Sequence, residues 1–394
     1  MTEPRAALLF LLSLSSWGCG DVPKPHNVVE PIGPGPYPVG STNMEVAAEF
    51  TGVGDDVMHA YLLGTPDDRG RPRFVASILK YPEVAWVVDV AVPGEPGIYG
   101  PAGGLTLPVV TYVTYPSTPA EEPSPYAFPY RDAAYGAFEN MLAPGELPSF
   151  ADPDKRYPLI ILAHGASAHG IFDVGHAHDL SRHGYIVAVI NYGDERTLIP
   201  DDPNVHLAYL RPFLTKTVID SLVESDTFGR NIDAGNIGVS GHSFGGFTTL
   251  AIAGGPYQGN PATVSDERVK AGVIAAPWVG GRYDGKDVFG FGPGNADLSK
   301  VDVPMISFFG TNDDVTTAEF ILPAMQKLSG PTYVIELVDQ PHVFEGGSWE
   351  DRNAWELLFF EAYLKNDPTA LEKLGTARSM SGGNEDIQLF EYQK

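Results

Sequence analysis

Six short runs of almost unbroken apolar residues, separated in most cases by enough chain for a helix, constrain this fold most. They are Leu159–Ala163, Tyr185–Ile190, Asn236–Ser240, Val269–Ala275, Pro304–Phe309 and Tyr333–Val338. A strand that is apolar at every position has to be buried on both faces, and a parallel sheet covered by crossover helices provides that burial. Helical candidates occupy 171–183, 207–226, 244–254, 316–328 and 349–364; in the last, Trp355, Leu358, Phe359 and Tyr363 recur at helical spacing and read as core. Ahead of the six runs, Val84–Val92 and Leu105–Tyr115 alternate as antiparallel strands do. The expected fold is therefore α/β, a mostly parallel central sheet with helices on both faces and antiparallel strands at its N-terminal edge. One interval breaks the alternation. Residues 279–300 carry Gly280-Gly-Arg-Tyr-Asp-Gly and Phe289-Gly-Phe-Gly-Pro-Gly, too much glycine for a crossover helix, and predict a loop over the site.

The sharpest local motif is Gly241-His242-Ser243-Phe244-Gly245-Gly246, which follows a predicted strand and opens a predicted helix. A strand-turn-helix of this kind presents a nucleophile at the carboxyl edge of a sheet, and glycines on either side allow the tight turn. A serine hydroxyl is a weak nucleophile at neutral pH, so Ser243 requires a histidine base and a carboxylate that orients it. Both follow in chain order at strand ends: Asp313 in Gly310-Thr-Asn-Asp-Asp, and His342 in Asp339-Gln-Pro-His. Asp314 and Asp339 are the rival acids. Two backbone amides should receive an oxyanion, one from Phe244 and one from Ala166, in the loop after 159–163. His164 is expected to be structural beneath that loop. His176, His178 and His183 invite a metal reading, but residues two apart on a helix point to different faces, so separate structural or solvated roles are expected.

The ends of the chain carry other signals. Ala6–Leu14 is an apolar run too short to span a bilayer and suited to a signal peptide over residues 1–18, so export is expected. The only cysteine, Cys19, follows Gly18 in a segment that resembles the lipobox of bacterial lipoproteins, although Trp17 is bulkier than usual there. Lipid attachment at Cys19 would tether the protein to a membrane, and plain secretion is the alternative. Residues 19–42 are rich in proline and glycine and predict a spacer. Residues 43–83 form an N-terminal extension that cannot be placed, 84–365 the catalytic domain, and 366–394 a C-terminal tail. With 50 acidic against 25 basic side chains and a net charge of −25, the surface repels phosphate backbones, which excludes nucleic acid as a partner and disfavours anionic substrates. One cysteine can form neither an intramolecular disulfide nor a structural zinc set.

Pro158-Leu-Ile-Ile-Leu-Ala-His-Gly165, Asp179-Leu-Ser-Arg-His-Gly-Tyr-Ile-Val-Ala188 and Asn236 to Gly246 together resemble the platelet-activating-factor acetylhydrolase and dienelactone-hydrolase branch of the α/β-hydrolases, over roughly residues 84 to 365. The resemblance implies a cofactor-free, metal-free hydrolase of carboxylic esters that works through an acyl-serine. Ser243 stands where true dienelactone hydrolases carry a cysteine, which argues against that particular activity. Ala276-Pro277-Trp278 is similar to a segment of polyester hydrolases and cutinases that sets a tryptophan beside the acyl site, so Trp278 is either a substrate-binding or a core aromatic. The expected substrates are neutral or zwitterionic short-acyl esters or lipids. Alternatives are hydrolysis of polyesters or phospholipid acyl chains, and a catalytically dead, surface-anchored binding lipoprotein.

Overall fold

The computed structural model describes residues 27–45, 47, 75–120, 140–193, 206–380 and 387–393. Eleven strands form the main sheet: β1 (Val39–Ser41), β2 (Trp86–Ala91), β3 (Thr106–Pro116), β4 (Asn140–Met141), β5 (Tyr157–Ala163), β6 (Ile186–Asn191), β7 (Ile232–His242), β8 (Val269–Ala275), β9 (Met305–Gly310), β10 (Thr332–Leu337) and β11 (Ile387–Gln393). Their order is β11-β10-β9-β8-β7-β5-β6-β3-β1-β4, with β2 also paired to β3. The six apolar runs form the parallel block from β10 to β6, and β3 joins it antiparallel beside β6. Every residue of β5 and β6 is buried, as all-apolar strands require.

Helices cover both faces. On one lie α2 (Leu207–Glu224), α3 (Phe244–Ile252) and α4 (Ala318–Met325), and their apolar residues share one core cluster with β3, β5 and β7. On the other lie α1 (Val174–Arg182), α5 (Ser348–Leu364) and α6 (Pro368–Thr376), which share the second cluster. This is the arrangement of an α/β-hydrolase fold. Because the chain passes from β5 to β6 and then back across to β7, the loops leaving β5 and β7 run to opposite faces and open a crevice at the carboxyl edge. Register aligns that edge: Ala163 pairs with Gly241, His242 with Ala275, and Ala275 with Phe308.

Three segments differ from expectation. Within the expected spacer, Asn27–Val29 pairs in parallel with Ala377–Met380, and β1 pairs with β3 with Val39 and Ser41 buried. The prolines cluster between these two stretches, and a three-residue strand needs no more than their flanks. The C-terminal segment is not a simple tail, since α6 packs on α5 and β11 closes the sheet antiparallel to β10. Residues 279–300 hold no α-helix; they form a hairpin of Gly280–Tyr283 with Lys286–Phe289 followed by 3-10 turns, and Phe291 and Leu298 anchor them in the core. Of the N-terminal extension, the described residues include buried Met44, Val75 and Ile78, and Met44 and Val75 join the second core. The signal-like segment and Cys19 lie outside the described residues. No helix among the described residues is long and apolar enough to cross a membrane.

Candidate active site

Ser243 sits between β7 and α3 with φ 55° and ψ −116°, a left-handed backbone that a non-glycine residue keeps only when its surroundings impose it. Three backbone hydrogen bonds do so here. Ser243 N–H donates to the Ala275 carbonyl at 2.8 Å, and the Ser243 carbonyl accepts from Trp278 at 3.0 Å and Phe247 at 3.2 Å. The flanking glycines are required by proximity. A Cβ on Gly241 would lie 2.3 Å from the Gly245 backbone, and one on Gly245 would lie 1.9 Å from the Ala163 carbonyl oxygen.

The structure brings Ser243, His342 and Asp313 into one hydrogen-bonded line. His342 Nε2 is 2.9 Å from Ser243 Oγ, and His342 Nδ1 is 2.9 Å from Asp313 Oδ2. Neutral His342 that donates from Nδ1 to the carboxylate presents an unprotonated Nε2 to the serine hydroxyl, the tautomer a general base needs. The Asp313 side chain is fully buried. Its Oδ1 accepts the backbone N–H groups of Val315 at 2.9 Å and Thr316 at 2.8 Å, and the Thr316 hydroxyl lies 2.7 Å from Oδ2. Burial pushes this carboxyl up, but the bonds from His342 and Thr316 outweigh it and hold the group below its ordinary value. The rivals Asp314 and Asp339 are exposed, and the carboxylate that pairs with His342 is that of Asp313.

Sequence reasoning missed two supporting residues. Thr316 binds both Asp313 and, at 3.2 Å, His342 Nδ1; the Asx-type turn Asp313-Asp-Val-Thr316 is a local signal that could have revealed it. His242 Nε2 donates to the His342 carbonyl at 2.8 Å and so fixes the backbone of the base. Burial pushes the His242 imidazole down to about 4, which keeps it neutral and a donor at that nitrogen.

Ser243 opens on a cavity of about 520 Å³, lined from the β5 loop by Gly165 and Ala166 and from the β10 loop by His342 and Val343. The N–H of Phe244 is the first of α3 and has no acceptor within the helix, and Ala166 lines the cavity beside Ser243. His164 lies beneath this loop: Nδ1 donates to the Gly165 carbonyl at 2.8 Å, Nε2 accepts from Tyr192 N–H at 3.3 Å, and burial holds the ring well below its ordinary pKa. Trp278 does not line the cavity. It is 8% exposed and packs on Phe244 and Phe247, so its side chain belongs to the core beneath the nucleophile. The hairpin of 280–289 does not line the cavity either, contrary to the expected cover. The three helix histidines go to separate partners: His176 faces Glu356, His178 the Tyr112 hydroxyl, and His183 the Gly33 carbonyl.

No protein-family model matches this sequence, and none of the curated proteins is significantly similar to it. Fold and site geometry therefore carry the functional argument alone.

Proposed function

We propose that the chain is an exported serine hydrolase that cleaves carboxylic esters without a cofactor, through an acyl-serine intermediate. The observation that carries it is the unbroken line from Ser243 Oγ through both nitrogens of His342 to Asp313, opening on a cavity. In this reaction His342 takes the hydroxyl proton as Ser243 Oγ attacks the ester carbonyl. The resulting imidazolium rests against the Asp313 carboxylate, and the N–H groups of Phe244 and Ala166 receive the oxyanion. The alcohol leaves with the proton from His342. Water, deprotonated by the same imidazole, then releases the acid and restores Ser243. A net charge of −25 helps a carboxylate product depart and favours neutral or zwitterionic substrates. Export and attachment through Cys19 rest on the N-terminal sequence.

The test is Ser243→Ala. It should abolish turnover of p-nitrophenyl acetate while the thermal transition stays near wild type, and a fluorophosphonate should label the wild-type protein at Ser243. An active Ser243→Ala protein, or a label on another residue, would refute the assignment.

A further inference from the structure

The two N–H groups assigned to the oxyanion come from different elements, Ala166 from the loop after β5 and Phe244 from the first turn of α3. Their alignment needs a part that touches both, and Arg211 does. It is completely buried and is the only charged residue among the buried side chains of α2, which otherwise turns Leu207, Leu210, Leu214 and Val218 into the core. Its Nη1–H donates to the His164 carbonyl at 3.2 Å, and its Cζ lies 4.1 Å from the centre of the Tyr192 ring and 5.7 Å from that of Phe244. Burying a guanidinium is costly unless its donors are used, so an apolar side chain would serve packing alone better.

The contacts of Arg211 control where the Ala166 N–H points. The Gly165 carbonyl and the Ala166 N–H belong to one planar trans peptide and point in opposite directions. His164 Nδ1–H holds the Gly165 carbonyl at 2.8 Å, which turns the Ala166 N–H away from the imidazole. This requires a neutral ring with its proton on Nδ1, because Nε2 has to accept from Tyr192 N–H at 3.3 Å. Arg211 secures that state in three ways: it donates to the His164 carbonyl, packs over Tyr192, and adds its charge to burial in holding the imidazole well below its ordinary pKa. Tyr192 is tied back in turn, since its hydroxyl lies 2.7 Å from Thr215 Oγ1, which donates to the Arg211 carbonyl at 2.7 Å. From this placement, and resting on the ester-hydrolase reading above, we infer that Arg211 is a positioning residue of the oxyanion site: it holds loop 164–166 against the first turn of α3 so that the Ala166 and Phe244 N–H groups converge on one oxygen.

Two variants test this. Arg211→Met fills the space without donor or charge, and Arg211→Lys keeps the charge but lacks the planar fork that lies over the Tyr192 ring while it reaches the His164 carbonyl. The readouts are kcat and KM for p-nitrophenyl acetate, with active sites counted by fluorophosphonate titration, and Ki for a trifluoromethyl ketone. Ser243 Oγ bonds to the carbonyl carbon of that ketone, its proton passes to His342, and the carbonyl oxygen becomes an anion in the same site. In Arg211→Met kcat should fall by about ten- to a hundredfold and Ki rise by a similar factor, with KM within about threefold of wild type, as expected when transition-state stabilisation alone is lost. Arg211→Lys should fall between the two proteins.

Ki does not depend on the fraction of folded protein, so a purely structural loss leaves it at the wild-type value. An unchanged Ki in Arg211→Met, or a loss confined to KM, overturns the inference. If Arg211→Met does not fold, Arg211→Lys carries the test alone, and an unchanged Ki there overturns the inference in the same way. Wild-type ester turnover with Ki unmoved in the variants refutes the positioning role alone, whereas a wild-type protein that turns over no ester refutes ester cleavage and this role together.

Discussion

Replacing Asp313 by asparagine tests the proposed chemistry at its most buried point. Asparagine keeps an oxygen that can accept from Val315 and Thr316 N–H, now at 2.9 and 2.8 Å, so the turn after β9 should survive. The other oxygen, 2.9 Å from His342 Nδ1, becomes an NH2 group that can only donate. Nδ1 must then be the acceptor, the proton moves to Nε2, and Nε2 can no longer take the Ser243 proton. A wrong tautomer of this kind lowers kcat by about four orders of magnitude in serine hydrolases, or about 5 kcal/mol of transition-state stabilisation. The assay is p-nitrophenyl acetate turnover at pH 8, with thermal melting beside it and Asp314→Asn and Asp339→Asn as controls that retain activity. An Asp313→Asn protein within tenfold of wild type would refute the orienting role. Equal losses in either control would show that the wrong carboxylate had been assigned.

Two further outcomes follow from the nucleophile turn. His242 is depressed from its ordinary 6.5 to about 4, so the stability it contributes is complete above pH 6.5 and is lost as pH falls from 6.5 toward 4, by about 3 kcal/mol. His242→Gln keeps a donor for the His342 carbonyl and removes the titration, so urea unfolding at pH 7 and pH 4 should show a smaller acid loss than wild type; an identical loss refutes the cause. Gly245→Ala forces a methyl group to within 1.9 Å of the Ala163 carbonyl oxygen and should destabilise the fold by about 3 kcal/mol or more in the same assay, whereas a change below 1 kcal/mol would mean that the turn relaxes easily.

The sheet was legible in the sequence to a degree the site was not. β5 through β10 follow the six apolar runs to within a few residues at each end, because burial on both faces leaves a pattern within the strand itself. Ser243 was legible for a similar reason, since the glycines its turn needs are its neighbours. The edges were harder. β1 has only three residues and follows a run of prolines, and β11 is an edge strand with β10 as its one partner in the sheet, so each has a weaker pattern to betray it. Trp278 shows the limit of a motif: its position after Ala276-Pro277 is compatible with either face, and only packing on Phe244 and Phe247 turns the ring inward.

The sequence by itself determined the six central strands, the helices between them and the serine held in a strained turn, because periodicity and turn chemistry act between residues a few positions apart. Tertiary structure alone decided that Thr316 and His242 brace the base, that the hairpin of 280–289 stands clear of the cavity, and that Asp173, His176 and Arg352 line one cavity with Ser243. Those side chains come from loops and helices on several strands, and they converge only because the chain reverses direction across β5 and gathers the strand ends at one edge.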